Sequence, residues 1–350
     1  MATTGAYDAI VIGAGLSGAL VASSLAEEGL HVVVLDAREN PGGTMARQPG
    51  LALLGTACPF TVLGEMVGED TALTIWEMTS EGLVRLEILL DQLGLQHTQP
   101  GSIRLATNQE ESRALRRSAG QLREFGYRVR LEGEGEAVAM HTEDDLIFDA
   151  NHLIQRLLDH DHIIVEPGTE AHRISYREDG TIAVWAHHHY LWAETLVVAS
   201  GAYVARLLLP LRDSFRVQAV HTLHLSNPDG LSSPILIDSG RFCYLPDGSG
   251  AYLSGWDGHG EMTLERLAKV ASQICPDASV RSRFTVYTAS TPDGLPLVGQ
   301  PDPDRNLYVI GGFGPLGISL VLPAAEALLG LMLEGEGHPL FSLARPNIGG

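Results

Sequence analysis

Residues 7–43 read YDAIVIGAGLSGALVASSLAEEGLHVVVLDARENPGG, and this stretch decides the fold. Ala9-Ile10-Val11-Ile12 is an apolar run suited to a parallel strand buried on both faces. The glycine turn Gly13-Ala14-Gly15-Leu16-Ser17-Gly18 follows, then a helical stretch from Ala19 to Glu28 closed by Gly29. His31 to Leu35 is a second apolar strand, and it ends on Asp36. Strand, G-x-G-x-x-G, helix, strand and acid, in this order and at this spacing, predict a dinucleotide site. Gly13 permits the tight turn, Gly15 lets backbone approach a pyrophosphate, and Gly18 lets the helix pack on the strand. The helix N-terminus offers unpaired N–H groups and partial positive charge to phosphates, and Asp36 can accept from a ribose hydroxyl.

Bulk properties narrow the class. At 350 residues the chain is long for one core, which predicts two domains or one interrupted domain. Lys and Arg total 23 against 43 Asp and Glu, a net charge of −20. That balance opposes a nucleic-acid surface and long-range attraction of anionic substrates. Cys58, Cys243 and Cys275 are few, distant and odd in number, so neither a disulfide framework nor a zinc spacing follows. The strand beginning at Tyr7 leaves no room for a signal peptide, and Ile318 to Leu333 contains Pro323 and Glu326. That run reads as a core helix without a membrane span, and the expectation is a soluble cytoplasmic protein.

Beyond Asp36 come Ala37 and Arg38, then Pro41-Gly42-Gly43-Thr44-Met45-Ala46, where a double glycine lets the chain turn under a bound cofactor. Residues 72–93 and 108–126 carry helical spacing, and a short strand lies between them at 98–106. Asp149 is a candidate N-cap for a helix reaching Leu158. His187-His188-His189 alternate across a strand and cannot converge on one metal ion. Ala193 to Ala202 is an apolar strand ending in Ser200-Gly201, the open edge at which doubly wound sheets bind ligands. Residues 215–290 read as antiparallel strands plus one helix, Leu264 to Ile274, with a hairpin at Asp247-Gly248. The strand Asn306 to Ile310 then enters Gly311-Gly312-Phe313-Gly314-Pro315-Leu316-Gly317 and a helix to Leu333. Residues 312–317 match G-x-G-x-x-G again, but too little chain remains for a second strand and acid. A glycine turn at a helix N-terminus is an electropositive spot that suits the electron-rich edge of a flavin.

Together these pieces resemble the D-amino-acid-oxidase superfamily of FAD proteins, which includes glycine oxidase and monomeric sarcosine oxidase. The carriers are VIGAGLSGALVASSLAEEGLHVVVLDA, LVVASGAY, TPDGLPLVG and NLYVIGGFGPLGISLVLPAAEALL, with QPGSIRLATNQEESRAL at the first excursion into the substrate domain. The resemblance implies an α/β (α+β overall) fold: a Rossmann-type FAD-binding domain carrying a discontinuous antiparallel-sheet substrate domain. The expected division is 1–90, 141–213 and 291–350 for the FAD domain, and 91–140 with 214–290 for the substrate domain. By the same likeness, Gly13, Ala14, Gly15, Leu16, Ser17, Gly18, Asp36, Ala37 and Arg38 hold the ADP half of FAD. Gly43, Thr44, Met45 and Ala46 line the flavin side, Ala171 touches adenine, and Ser200-Gly201 bound the pyrophosphate. Gly312, Gly314, Pro315, Leu316, Gly317, Ile318 and Ser319 face the flavin pyrimidine.

Departures from the family pattern bear on substrate. Arg283-Phe284-Thr285-Val286-Tyr287-Thr288 lacks the cysteine that anchors flavin in some relatives, so the implied FAD is non-covalent. Where amino-acid oxidases carry a carboxylate-gripping arginine, the chain has Tyr287, Thr288 and Ala289. Ser319 stands where sarcosine-oxidase-like members have lysine, and Pro315 where glycine-oxidase-like members have arginine. Tyr244 matches a family tyrosine that helps hold carboxylate. A missing arginine removes a charge-assisted pair of roughly 1.5–3 kcal/mol, which speaks against a simple amino acid. Arg281 or Arg283 would replace it if strand register turned one inward. The implied activity is FAD-dependent oxidation of an amine-like substrate by hydride transfer, with Tyr244, Tyr287 and His221 as pocket polar groups. Oxygen or another acceptor then takes the electrons. The rival readings are a flavin-binding subunit of a larger dehydrogenase and an NAD-linked dehydrogenase using the first motif alone. Homo-oligomer or hetero-complex is left open.

Overall fold

Val32 to Leu35 has no exposed residue, and alternate residues of the strand before it enter two different cores. This is the mark of a parallel sheet covered on both sides. The computed structural model describes residues 6–186, 189–226, 230–257 and 262–345. His187 and His188, read above as part of a strand without metal, lie outside them.

The chain opens with β1 (Ala6–Ile12), α1 (Leu16–Glu27) and β2 (Val32–Leu35). After a 3-10 turn at Gly43–Arg47 it adds β3 (Gly50–Ala52), α2 (Phe60–Val67) and α3 (Glu69–Gln92). Next come β4 (His97–Thr98), β5 (Ser102–Leu105), α4 (Gln109–Glu124), β6 (Val129–Glu132), β7 (Ala139–Thr142), β8 (Leu146–Phe148) and α5 (Ala150–Leu158). Then follow β9 (Ile163–Glu166), β10 (Ala171–Tyr176), β11 (Ile182–Ala186), β12 (His189–Val198) and α6 (Val204–Leu207). The last third holds β13 (Arg216–Ser226), β14 (Ile235–Ile237), β15 (Phe242–Pro246), β16 (Gly250–Gly255), α7 (Leu264–Ile274) and β17 (Val280–Ser290). It closes with β18 (Leu297–Asp302), β19 (Leu307–Gly311) and α8 (Val321–Leu333).

The first sheet runs β10-β11-β12-β1-β2-β9, with β19 beside β12 and β18 beside β19. The pairs β12–β1, β1–β2, β2–β9 and β12–β19 are parallel. Ala9 and Val11 point to a core shared with α1, α3, α5 and α8, while Ile10 and Ile12 join Val33, Leu191, Val204 and Phe215 on the other face. The expected helix from Ile318 begins with a 3-10 turn, Ile318–Leu320, and becomes α-helical only at Val321. Pro323 therefore falls in the first α-helical turn, where its missing N–H costs nothing. Asn108 and Asp149 cap α4 and α5 by accepting the N–H groups of Glu111 and His152.

The second sheet runs β17-β13-β16-β15-β14-β5-β7-β6. Its outer face carries α7, packed on Leu223, Leu225, Phe242, Tyr244 and Leu253. Its inner face presents Leu236, Cys243, Leu245 and Tyr252 to Leu51 and Leu53 of the first part of the chain. A three-stranded sheet, β3-β8-β4, joins the two bodies. Among the described residues, no helix is long and apolar enough to cross a membrane, and no group of His, Cys, Asp and Glu is placed to hold a metal ion.

Candidate functional site

The turn after β1 is built around Asp36. Its Oδ2 accepts the Ala14 N–H at 2.8 Å and its Oδ1 accepts the Arg38 N–H at 2.8 Å. The Asp36 carbonyl takes the Thr169 N–H at 2.7 Å. One acid thus binds the first turn, the end of β2 and the segment after β9 together. Gly13 has φ +110, and a Cβ there would stand 2.5 Å from the Ala199 carbonyl oxygen of the neighbouring strand end. A Cβ on Gly18 would meet the Gly13 carbonyl oxygen at 1.9 Å. Gly15 differs, since nothing lies within 4 Å of where its Cβ would point. The two outer glycines serve packing, and the middle one faces open space at the N-terminus of α1.

That space is a cavity of about 430 Å³. Gly13, Gly15, Leu16, Ser17, Asp36, Ala37 and Arg38 line one side of it. Gly43, Thr44, Met45, Ala171, Ser200 and Gly201 continue the wall. Gly312, Gly314, Pro315, Gly317 and Ile318 enter from the other end of the chain. Strand β17 ends on this glycine turn: Gly314 N–H donates to the Ala289 carbonyl at 2.8 Å, and Ser290 bridges to Phe313. Two glycine turns nearly three hundred residues apart therefore close on one cavity.

Residues 8–331 match the family described as FAD dependent oxidoreductase, DAO. The chain belongs to this family. A probable oxidoreductase, OrdL, of Haemophilus influenzae is 24% identical over 92% of this chain and 83% of its own length. The tRNA 5-methylaminomethyl-2-thiouridine biosynthesis bifunctional protein MnmC of Paracidovorax citrulli is 26% identical over 96% of this chain. The chain spans only 58% of that relative. Among solved structures, glycine oxidase from Geobacillus kaustophilus superposes with a TM-score of 0.80, at 22% identity and with 99% of both chains covered. L-proline dehydrogenase from P. horikoshii gives 0.76 at 17% identity, with 96% of each chain covered.

The FAD-dependent oxidoreductase fold and this cavity fit the cofactor. Open space beyond Gly15, the free first-turn N–H groups of α1 and a buried, unpartnered Ser200 Oγ all suit a pyrophosphate-bearing ligand. None of the three cysteines lines the cavity. Cys243 is buried, and burial pushes its thiol up to about 12.

Several predicted residues stand elsewhere. Ala14, Gly18, Ala46, Leu316 and Ser319 do not line the cavity. Leu316 packs on the cluster of Leu51, Leu53, Leu236, Cys243 and Leu245, and Ser319 is buried against Leu53. Tyr244 is fully buried among Leu223, Leu253 and Leu267 beneath α7. Alternation along β15 sends Tyr244 outward and Cys243 and Leu245 inward, so Tyr244 cannot touch a ligand in the cavity. His221 pairs with Thr285 across β13 and β17, Nδ1 to Oγ1 at 2.9 Å, and lies on the outer face as well. Tyr287 is half exposed at the rim, where it lines both the cavity and an adjoining groove. Arg283 is exposed on the outward face, and Arg281, at the bulge in β17, donates to the Ser249 carbonyl at 3.0 Å; neither lines the cavity, so neither replaces the absent arginine.

Sequence reading missed the inward wall. Val220, Val286 and Thr288 line the cavity, and Thr288 Oγ1 is buried without a hydrogen-bond partner among the described residues. Gln48 also lines it, in the segment just after the double glycine. Period-two alternation in 284–288 could have found Val286 and Thr288, once a side was chosen. Arg104 carried no local signal. Its buried guanidinium donates to the Leu54 and Thr56 carbonyls at 3.0 Å and holds the segment after β3 in place. Burial pulls its pKa down, and Asp145 opposes that pull.

Proposed function

We propose that this oxidoreductase oxidises a C–N bond of an amine-like substrate by hydride transfer. The observation that carries the reading is the neutral inward wall, Val220, Val286 and Thr288, which lines the same cavity as the two glycine turns. Hydride transfer from an uncharged amine asks for orientation and dryness, and no acid or base need be supplied. Bound FAD supplies the two-electron acceptor for the hydride of the carbon that bears nitrogen. Thr288 Oγ1 orients the nitrogen by accepting an N–H, and the valines exclude water. The nitrogen lone pair forms C=N as the hydride leaves, and water hydrolyses the imine outside the site.

In the same proposal Gly13, Gly15, Leu16, Ser17, Asp36 to Arg38, Gly43 to Met45, Ala171 and Ser200-Gly201 bind the cofactor, with Gly312, Gly314, Pro315, Gly317 and Ile318 at the flavin end. Residues 1–90, 141–213 and 291–350 form the cofactor domain, and 91–140 with 214–290 the substrate domain. Three free cysteines fit a reducing, cytoplasmic setting. The test is an anaerobic screen of amines, amino acids and hydroxy acids read by loss of flavin colour. Bleaching by amines supports the reading; bleaching by hydroxy acids alone overturns it.

A second reading, a flavin subunit of a larger complex, is favoured by one surface. Tyr203, Leu209, Val217 and Tyr287 are all exposed around a groove beside the cavity rim. Exposed apolar groups gathered in this way mark interaction sites. Co-purification of a second chain, with no bleaching by any compound of the screen, would decide for it.

A further inference from the structure

Taken away from the second glycine turn, the inward residues of β17 are Thr288 and Val286, which line the cavity, and then Phe284, which lies beyond it. Phe284 lies two residues, or about 7 Å along an antiparallel strand, beyond the cavity-lining Val286. Over its ring sits Arg47, with the guanidinium carbon 5.5 Å from the ring centre. Arg47 ends the 3-10 turn Gly43–Arg47 and directly precedes the cavity-lining Gln48. It is exposed, and it forms no ion pair among the described residues of a chain with a net charge of −20. The ring holds an exposed cation at the outer end of this row, and its donors are unspent among the described residues.

Read inward from that end, the row offers a guanidinium, then the apolar Val286 and Val220 of the cavity wall, then Thr288 Oγ1, unpartnered among the described residues. The matching ligand carries an anion, a methylene chain and a neutral amine in that order. An α-amino acid does not match, because its amine and carboxylate share one carbon and cannot reach both ends.

We propose that Arg47 is a specificity-determining anion handle and that the substrate is an ω-amino carboxylate, with the amine several carbons from the acid. This rests on the amine-oxidising reading above. The probes are 5-aminopentanoate, pentylamine and norvaline, used with the FAD-loaded protein and with Arg47→Ala under anaerobic conditions. Wild-type protein should be bleached by 5-aminopentanoate with kcat/KM about tenfold above the other two. Arg47→Ala should lose that advantage through KM, with pentylamine kinetics and flavin content unchanged. Preference for norvaline, or an equal effect of Arg47→Ala on pentylamine, overturns the proposal. If no amine bleaches the flavin, the amine reading falls and the handle is tested by binding alone. Pentanoate should then perturb the bound-flavin spectrum at concentrations where pentanamide does not, and Arg47→Ala should abolish the difference. Pentanoate binding that survives Arg47→Ala sinks the handle.

Discussion

Ser319 Oγ donates to the Leu53 carbonyl oxygen at 2.5 Å and accepts the Leu53 N–H at 2.7 Å. This two-bond clamp joins the 3-10 turn after the second glycine loop to the segment after β3, across 266 residues of chain. Ser319→Ala leaves a buried donor and a buried acceptor unpaired, at about 1–3 kcal/mol each. Urea unfolding should show a loss of at least about 2 kcal/mol, with weaker flavin retention.

Gly15 and Gly18 separate binding from folding. Gly15→Leu points into open space, so far-UV circular dichroism should be unchanged while flavin content falls to zero. Gly18→Ala must displace the Gly13 carbonyl, and should lower the melting temperature by several degrees. A Gly15→Leu protein that purifies fully yellow would count against the cofactor assignment.

Acid precipitation should leave a white pellet and a yellow supernatant. None of Cys58, Cys243 and Cys275 lines the cavity. Colour retained in the pellet would contradict non-covalent attachment.

Asp293 and Arg345 form a buried bidentate pair, Nε to Oδ2 at 2.7 Å and Nη2 to Oδ1 at 2.9 Å. Burial alone would raise the Asp293 carboxyl, but the hydrogen bonds and charge of Arg345 outweigh it and hold the group below its ordinary value. A depressed carboxylate stabilises above the unfolded-state pKa, about 3.9, and the contribution is lost as pH falls through the folded value. Arg345→Ala should cost about 3–5 kcal/mol at pH 7, and its deficit should shrink below about pH 4. Urea midpoints between pH 3 and 7 measure both. Thr291 of the same turn lies under Gly312, so the variant should also lose flavin.

Thr288→Val and Tyr244→Phe should behave oppositely. Thr288→Val removes an unpartnered buried oxygen from the cavity wall, leaving stability unchanged and slowing bleaching about tenfold. Tyr244→Phe alters a residue packed under α7, so it should shift the melting temperature and spare bleaching kinetics.

Local patterns carried far. The strand, glycine turn, helix and acid of residues 7–36 act within a short span, so their spacing exposed the cofactor fold and two of the glycines that line the cavity, Gly13 and Gly15. Asp149 as an N-cap and Leu264–Ile274 as a helix were legible for the same reason. The inward wall was harder. A strand has two faces, and nothing in 284–288 or 242–245 says which one meets the cavity until neighbouring strands and α7 are in place. Tyr244, read from a family tyrosine, and His221, read as a pocket polar group, lie on the outer face for that reason.

What the amino-acid order determined by itself is the dinucleotide unit, because its backbone demands are met by residues close together in the chain. Tertiary structure alone decided that Thr288 and Val286 line the cavity, that Arg47 lies over the Phe284 ring and that Ser319 bonds Leu53. Those relations join segments hundreds of residues apart, and their sign depends on strand register, which is fixed only when both faces of the second sheet find their partners.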